Sequence, residues 1–176
     1  TDFSPSGNVV AMNARLGFTS LDVRTWLVAN IPGPLPRGLA VTRLTDERAE
    51  ALGEADRAVY RDHRRAAAAR HLLVTSGDAY AYLMFRRDRR KQIRRFATPL
   101  FVGGDRELLR RAWRGVSGHL LTRDGLLFTL AEPRVLGFVP PNAVVLSSPR
   151  PRMVKAPDPA PLSADYLYSE FTLVEW

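Results

Sequence analysis

The histidines are the side chains whose chemistry is easiest to recognise, and they are scattered along the sequence. His63, His71 and His119 fall into no spacing that a metal site uses. The chain has no cysteine, which excludes disulfides, thiolate zinc sites and a cysteine nucleophile. The sequence therefore predicts no metal site, and His71, which opens an apolar segment, is expected to be a structural residue.

Other groups that could transfer protons or attack a carbonyl are equally sparse. Ser117-Gly118-His119 does not match a nucleophile elbow, which needs G-x-S-x-G between a strand and a helix. Glu170 and Glu175 lie in a predicted closing strand and would be general bases only if they faced a cleft. Solvated, outward-facing carboxylates are the simpler interpretation, so the catalytic residues stay unknown.

A glycine pair offers a better defined binding chemistry. An apolar segment ends in Gly103-Gly104 and runs directly into a predicted helix. Free amides and the helix dipole at such a junction can hold a phosphate, which makes Gly103, Gly104 and Arg106 candidate ligands. A second interpretation is a glycine turn with Asp105 as an ordinary helix cap, whose charge would repel a phosphate.

Residues 86–95, RRDRRKQIRR, form the most basic run of the chain. The run is consistent with a solvated connection between strands, with a nucleic-acid site, or with a site over the phosphoadenosine end of a cofactor. Nucleic-acid binding would gain from aromatic residues interleaved among the arginines, and the run has none. A solvated loop is therefore favoured, and nucleic acid is not an expected partner.

The composition of the chain limits its size, the ligands that its charge favours and its relation to membranes. The 176 residues, 45% hydrophobic, suffice for one ordinary domain, or for one domain with an appendage. The formal charge of +8 favours phosphorylated or polyanionic ligands, although richness in alanine and arginine reflects a GC-rich genome equally well. No apolar run is long enough to span a membrane and no secretory signal opens the chain, so we expect a cytoplasmic protein without a membrane partner.

The elements that would position any site begin with residues 4–27. This segment predicts a short helix, capped by a serine or by Asn8, with Val9, Met12 and Leu16 on an inward apolar face. Gly17 suits the left-handed conformation that ends a helix. Residues 21–29 then alternate as a strand that is apolar on both faces, which is typical of a strand covered on both sides.

This unit resembles the closing segment of a GNAT-type acyl-CoA acyltransferase domain. In that superfamily a helix of the pattern N-x-x-(A/M)-x-x-x-(Y/N)-x-x-L-G-F lies beside the coenzyme A tail, and the residues that match here are Asn13, Leu16, Gly17 and Phe18. The resemblance implies acetyl-CoA or another acyl-CoA as cofactor, with Asn13 beside it and its pyrophosphate at Gly103-Gly104. The tyrosine that often serves the family as general acid is replaced by Asn13, and the (Q/R)-x-x-G-x-(G/A) loop is absent.

The chain divides at a stiff segment, residues 31–38, which holds three prolines and two glycines. We predict that residues 1–31 are the closing helix and strand of a GNAT-like domain, that 32–38 form a linker, and that 39–176 form a second, divergent GNAT-like domain. The front half of the first domain is expected to be missing. Leu16-Gly17-Phe18 recurs as Leu136-Gly137-Phe138, where a second copy would place it.

The second segment predicts an alternation of strands and helices. A strand over 39–44 precedes a helix over 46–70 that is broken near Gly53, and strands over 71–75 and 79–85 form a hairpin. A strand over 96–102 leads into a helix, and strands over 126–130, 144–146 and 166–176 follow, with the intervening helix reduced at Glu132-Pro133.

Together these elements predict an α/β fold of mixed (α+β) type, GNAT-like, with a central mixed, mostly antiparallel sheet flanked by helices. The opening segment must hide its apolar edge, either by docking on the second domain in place of the reduced helix, or by pairing with another chain, such as the missing first domain or a second copy in a homo-oligomer.

The implied function is transfer of an acetyl or related acyl group from acyl-CoA to an amine or other small-molecule acceptor, although this chain alone need not be competent. One alternative is a non-catalytic module that shapes a substrate cleft or an oligomer interface. A weaker alternative is nucleic-acid binding through the basic run.

Overall fold

The computed structural model describes residues 2–3, 7–21, 26–88, 95–145 and 152–154. The helices among them are α1 (Gly7–Arg15), α2 (Asp46–Ala49), α3 (Glu54–His63), α4 (Arg106–Asp124) and α5 (Pro133–Leu136). None of these helices is long and apolar enough to cross a membrane. The strands are β1 (Asp2–Phe3), β2 (Thr19–Leu21), β3 (Trp26–Ala29), β4 (Ala40–Arg43), β5 (Ala69–Ser76), β6 (Ala79–Asp88), β7 (Phe96–Gly104), β8 (Phe128–Ala131), β9 (Ala143–Val145) and β10 (Arg152–Val154).

A seven-stranded sheet in the order β4-β5-β6-β7-β8-β3-β9 forms the centre of the fold. Its neighbouring strands pair antiparallel except for β7 and β8, which are parallel. A three-stranded sheet, β1-β10-β2, lies outside this order. The central sheet is mixed and mostly antiparallel with flanking helices, which confirms the predicted α/β fold class.

The two faces of the central sheet hold separate hydrophobic clusters, because successive side chains of a strand point to opposite faces. Leu83 and Phe85 of β6 pack with α4 on one face, while Tyr82 and Met84 pack with α2 and α3 on the other. The predicted inner face of α4 is confirmed, since Leu108, Leu109, Ala112, Trp113, Val116 and Leu120 are all buried.

The strand β3 joins the opening segment to the central sheet. It lies between β8 and β9, with Leu27 opposite both Leu130 and Val144, and Val28 is 1% exposed. The opening segment therefore docks as a strand and not as the reduced helix, which the chain forms itself as the single turn α5. The division into residues 1–31 and 39–176 stays a prediction, but the central sheet contains strands from both sides of it.

The proline-rich segment before β4 lies against α4. Leu35 packs against Gly115, and Pro32 lies beside Gly118, so these glycines of α4 make room for the segment. The break that was predicted near Gly53 is confirmed, because α2 ends at Ala49 and α3 begins at Glu54. The helix over 46–70 ends early, at His63, because Ala69 already pairs with Arg86 as part of β5.

The helix α1 differs from its predicted orientation. Gly17 has a φ of +82°, as expected of a left-handed helix end, but Met12 and Leu16 are more than half exposed. Asn13 is buried instead. The apolar face was predicted to pack inward on periodicity alone, and periodicity does not tell which side of a short helix a neighbouring element covers. The predicted closing strand over 166–176, with Glu170 and Glu175, and most of the basic run lie outside the described residues.

Candidate functional site

The parallel strands β7 and β8 diverge soon after they meet. They pair only through Phe96 with Phe128 and Ala97 with Thr129, although β7 continues to Gly104. Within the described sheet, the rest of β7 has no strand partner on that side. A gap between neighbouring strands of an α/β sheet is a common position for a ligand, so this divergence is the first feature of the candidate site.

A β-bulge lies in β7 beside the divergence. Phe85 of β6 pairs with Pro99 and Met84 pairs with Phe101, which leaves Leu100 as the extra residue of β7. Leu100 is buried, and Pro99 brings no backbone N–H to the strand. Bulges redirect the main chain locally and are frequent next to functional sites.

The short helix α5 lies against β7. Val135 and Leu136 of this helix are buried. Gly137 follows with a φ of +73°, and the side chain of Arg106 packs directly against it. The second Leu-Gly-Phe corner thus contacts the start of α4, and the apolar side chains of α5 belong to the same buried cluster as the inner face of α4.

The glycine pair at the end of β7 is closely packed. A Cβ added at Gly103 would overlap the carboxylate of Asp56, and one added at Gly104 would overlap the backbone carbonyl oxygen and the ring of Tyr80. The Tyr80 hydroxyl donates to Asp56 Oδ2 at 2.7 Å and accepts from the Gly53 amide at 2.9 Å. Burial, followed by this hydrogen bond to Asp56, raises the pKa of Tyr80.

The first amides of α4 already have an acceptor. Asp105 is the N-cap, and its Oδ1 accepts from the amides of Glu107 at 2.9 Å and Leu108 at 3.0 Å. The Asp105 amide itself donates to the carbonyl oxygen of Tyr80 at 2.8 Å. The cap therefore satisfies donors that a phosphate would otherwise use.

The junction between β7 and α4 does not fit the pyrophosphate of coenzyme A. The carboxylate of Asp56 packs against Gly103, and Asp105 directly follows Gly104 as the cap of α4. Negative charges this close to a phosphate oppose its binding. Arg106 is the nearby cation, and its side chain is directed to Gly137. The glycines serve here to let Asp56 and Tyr80 approach the main chain.

Three of the four predicted site residues, Gly103, Gly104 and Arg106, lie together at this junction. The fourth, Asn13, is 5% exposed on α1 and precedes β2 of the three-stranded sheet. Its carbonyl oxygen accepts from the amides of Leu16 and Phe18, both at 3.0 Å, which fixes the Leu-Gly-Phe corner. The contacts at the junction argue against Gly103, Gly104 and Arg106 as phosphate ligands, whereas Asn13 stays a predicted cofactor ligand.

Neither a family model nor a curated protein matches the chain. Its fold is similar to that of two solved structures. A GCN5-related N-acetyltransferase from Anabaena variabilis is 11% identical, with a TM-score of 0.49, over 86% of this chain and 44% of that one. Eis1 from Mycobacterium abscessus is 15% identical, with a TM-score of 0.42, over 85% of this chain and 45% of that one. The chain thus spans less than half the length of either structure.

A second polar cluster, which sequence patterns did not indicate, lies on the face of the sheet that α3 covers. Buried His71 forms a hydrogen bond through Nδ1 with the Tyr82 hydroxyl at 2.8 Å, and its Nε2 lies 3.4 Å from the carbonyl oxygen of His63. A carbonyl oxygen only accepts, so Nε2 carries the proton and Nδ1 accepts from Tyr82. Burial lowers the pKa of His71 to about 4 and raises that of Tyr82.

Tyr60 connects this cluster to the surface. Its ring packs edge-on against that of His71 at 5.1 Å, and its hydroxyl donates to Asp46 Oδ1 at 3.0 Å. Arg64 binds the other oxygen of Asp46 at 2.7 Å. The residues come from distant positions in the sequence, and only the alternation along β5 and β6 could have placed His71 and Tyr82 on a common face. In the described part of the chain, no three His, Cys, Asp or Glu side chains are grouped as metal ligands.

A glycine-to-alanine substitution, which adds a single methyl group, tests the packing role of the glycine pair. We expect Gly104→Ala to destabilise the fold, because its φ of +66° costs an alanine about 1–2 kcal/mol and because the overlap with the Tyr80 main chain adds about 1–3 kcal/mol. Gly77→Ala is the matched control, since Gly77 has a φ of +55° and open space around its Cα. Denaturant unfolding of both variants measures the difference, and equal losses would contradict the packing argument.

Proposed function

We propose that the protein to which this chain belongs is a GNAT-type acyltransferase that transfers an acetyl or related acyl group from acyl-CoA to an amine. The observation that carries the proposal is the divergence of β7 from β8 beside a bulge, in a strand that leads directly into α4. The Asn13 to Phe18 corner, with Gly17 in its left-handed conformation, supports it from a second part of the chain.

The chemistry of such a transfer makes modest demands on side chains. A free amine attacks the carbonyl carbon of the thioester directly, and main-chain amides stabilise the negative charge that forms on the oxygen. The carbon–sulfur bond then breaks, coenzyme A leaves as its thiolate, and the proton that the nitrogen loses passes to that thiolate or to water. This agrees with the scarcity of candidate nucleophiles and with the burial and hydrogen bonding of His71. The acceptor is proposed as an amine.

Within that protein we assign the junction of β7 and α4 a supporting role. Asp56 packs against Gly103, and the amides of Glu107 and Leu108 already bind Asp105. These contacts favour the non-catalytic alternative for this junction, which would shape the acceptor cleft or an interface with the rest of the protein. We therefore derive no step of the transfer from Gly103, Gly104 or Arg106.

Removal of one charge tests the supporting role. We expect the chain to show no thermal shift with acetyl-CoA at about 1 mM. Asp105→Asn, which keeps a good N-cap but removes the negative charge, is expected to gain measurable affinity. Glu107→Gln is the matched control, because it removes a charge from the same helix turn without altering the cap. Micromolar binding of acetyl-CoA by the unmodified chain would contradict the assignment.

The activity itself is tested on the whole protein. We expect acetyl-CoA to release free thiol in the presence of a panel of primary amines and not in their absence. This chain has no cysteine, so it adds no background to a thiol assay. Absence of amine-dependent release across the panel would count against the acyltransferase, while the Asp105 experiment would remain informative about the junction.

A further inference from the structure

Three arginines converge on a cavity away from the glycine pair. Arg43 ends β4, and Arg64 and Arg65 directly follow α3. They line a cavity of about 410 Å³, to which Asp46 and Tyr60 also contribute. Arginines from the end of β4 and from the end of α3 thus line one concave surface.

The charges in this cavity are not balanced. Among the described residues that line it, Asp46 is the one carboxylate, and it is already bound by Arg64 Nη1 at 2.7 Å and by the Tyr60 hydroxyl at 3.0 Å. Within the described ranges, neither Arg43 nor Arg65 forms an ion pair. In this part of the chain, three guanidinium groups and one carboxylate thus leave two positive charges without a partner.

The pKa shifts of Asp46 and His71 agree with the excess of positive charge in the cavity. The hydrogen bonds from Arg64 and Tyr60 lower the pKa of Asp46, and the charges of Arg64 and Arg65 add to the effect. The pKa of His71, behind Tyr60, is lowered first by burial and then partly by the charge of Arg43. Both unpaired arginines therefore act on groups in or behind the cavity.

The residues around the arginines also indicate which kind of ligand the cavity would bind. Leu44 and Tyr60, which are 3% and 6% exposed, give the cavity an apolar floor. Arg43 and Arg65 supply planar guanidinium groups that bind oxyanions through paired hydrogen bonds. The hydroxyl of Thr45, at the rim, is a further polar group for such an anion.

We propose that this cavity binds a small organic phosphate monoester, with the phosphate dianion between Arg43 and Arg65 and its apolar part on Leu44 and Tyr60. Two unpaired positive charges match the two negative charges that a phosphate monoester carries at neutral pH. The cavity contains no residue of β7, β8 or α4, so this proposal does not rest on the proposed acyl transfer.

Calorimetric titration with phenyl phosphate tests the proposal on the full chain. We expect measurable binding, a loss of about tenfold or more for Arg65→Gln, and a similar loss for Arg43→Gln. Arg61→Gln is the matched control, since Arg61 is exposed on α3 and does not line the cavity. Using both cavity variants keeps the test decisive if one of them fails to fold.

Two further ligands test separately the contribution of the apolar residues and that of the ligand's charge. Inorganic phosphate should bind more weakly than phenyl phosphate if the apolar floor contributes, and benzoate, with a single charge, should bind more weakly still. No binding of phenyl phosphate, an equal loss in Arg61→Gln, or benzoate binding as tight as that of phenyl phosphate would overturn the proposal.

Discussion

A Val28→Asp variant is expected to lose about 3–5 kcal/mol of unfolding free energy, enough to unfold many small domains. Val28 is 1% exposed at the centre of β3, between β8 and β9, and packs in the same cluster as the inner face of α4. An aspartate there would be a buried charge without a partner. Urea unfolding followed by circular dichroism measures the loss.

Val144→Asp provides the matched control on the next strand. Val144 lies opposite Leu27 but is 60% exposed on β9, the last strand of the described sheet, so the same substitution places the charge in water. We expect a change of about 0.5 kcal/mol or less. Similar losses in the two variants would show that β3 is not an interior strand of the sheet.

Acidification is expected to destabilise the fold through His71. Its pKa is about 4 in the folded chain against an ordinary value of 6.5, so the unfolded state binds the proton more tightly. The contribution is fully present above about pH 6.5 and is lost as the pH falls towards 4, a total of about 3 kcal/mol. Denaturant unfolding at a series of pH values measures it.

Substitutions of single histidines separate the contribution of His71 to the pH dependence from the contributions of the other titrating groups. Burial also lowers the pKa values of His63 and His119, so these residues contribute in the same direction. His71→Gln should flatten the pH dependence most, whereas His119→Gln should leave most of it. A pH dependence that is unchanged by His71→Gln would show that the ring is not held neutral in the fold.

Sequence patterns predicted the elements that are determined by interactions between residues close together in the sequence. The apolar spacing of α4 is long enough to define one face, and Asp105 and Gly125 cap its ends as helix termini require. The hairpin of β5 and β6 turns at Gly77, which has a φ of +55°. These features depend on neighbours within a few positions, so the sequence determines them directly.

Features that depend on distant partners could not be predicted in the same way. Nothing local in residues 26–29 indicates that they pair with both β8 and β9. The glycine pair has the composition of a phosphate site, and only the approach of Asp56 from α3 shows its packing role. The arginine cavity likewise forms from β4 and the end of α3, which the sequence separates by about twenty residues.

The interior position of β3 also determines when the central sheet can be completed. Trp26 pairs with Ala131, so these contacts close a loop of about a hundred residues. At synthesis rates of about 5–20 residues per second, the apolar segment of β3 leaves the ribosome at least about 5 s before its partners exist. During that interval β3 lacks its partner β8, and its open backbone edge can pair with other chains.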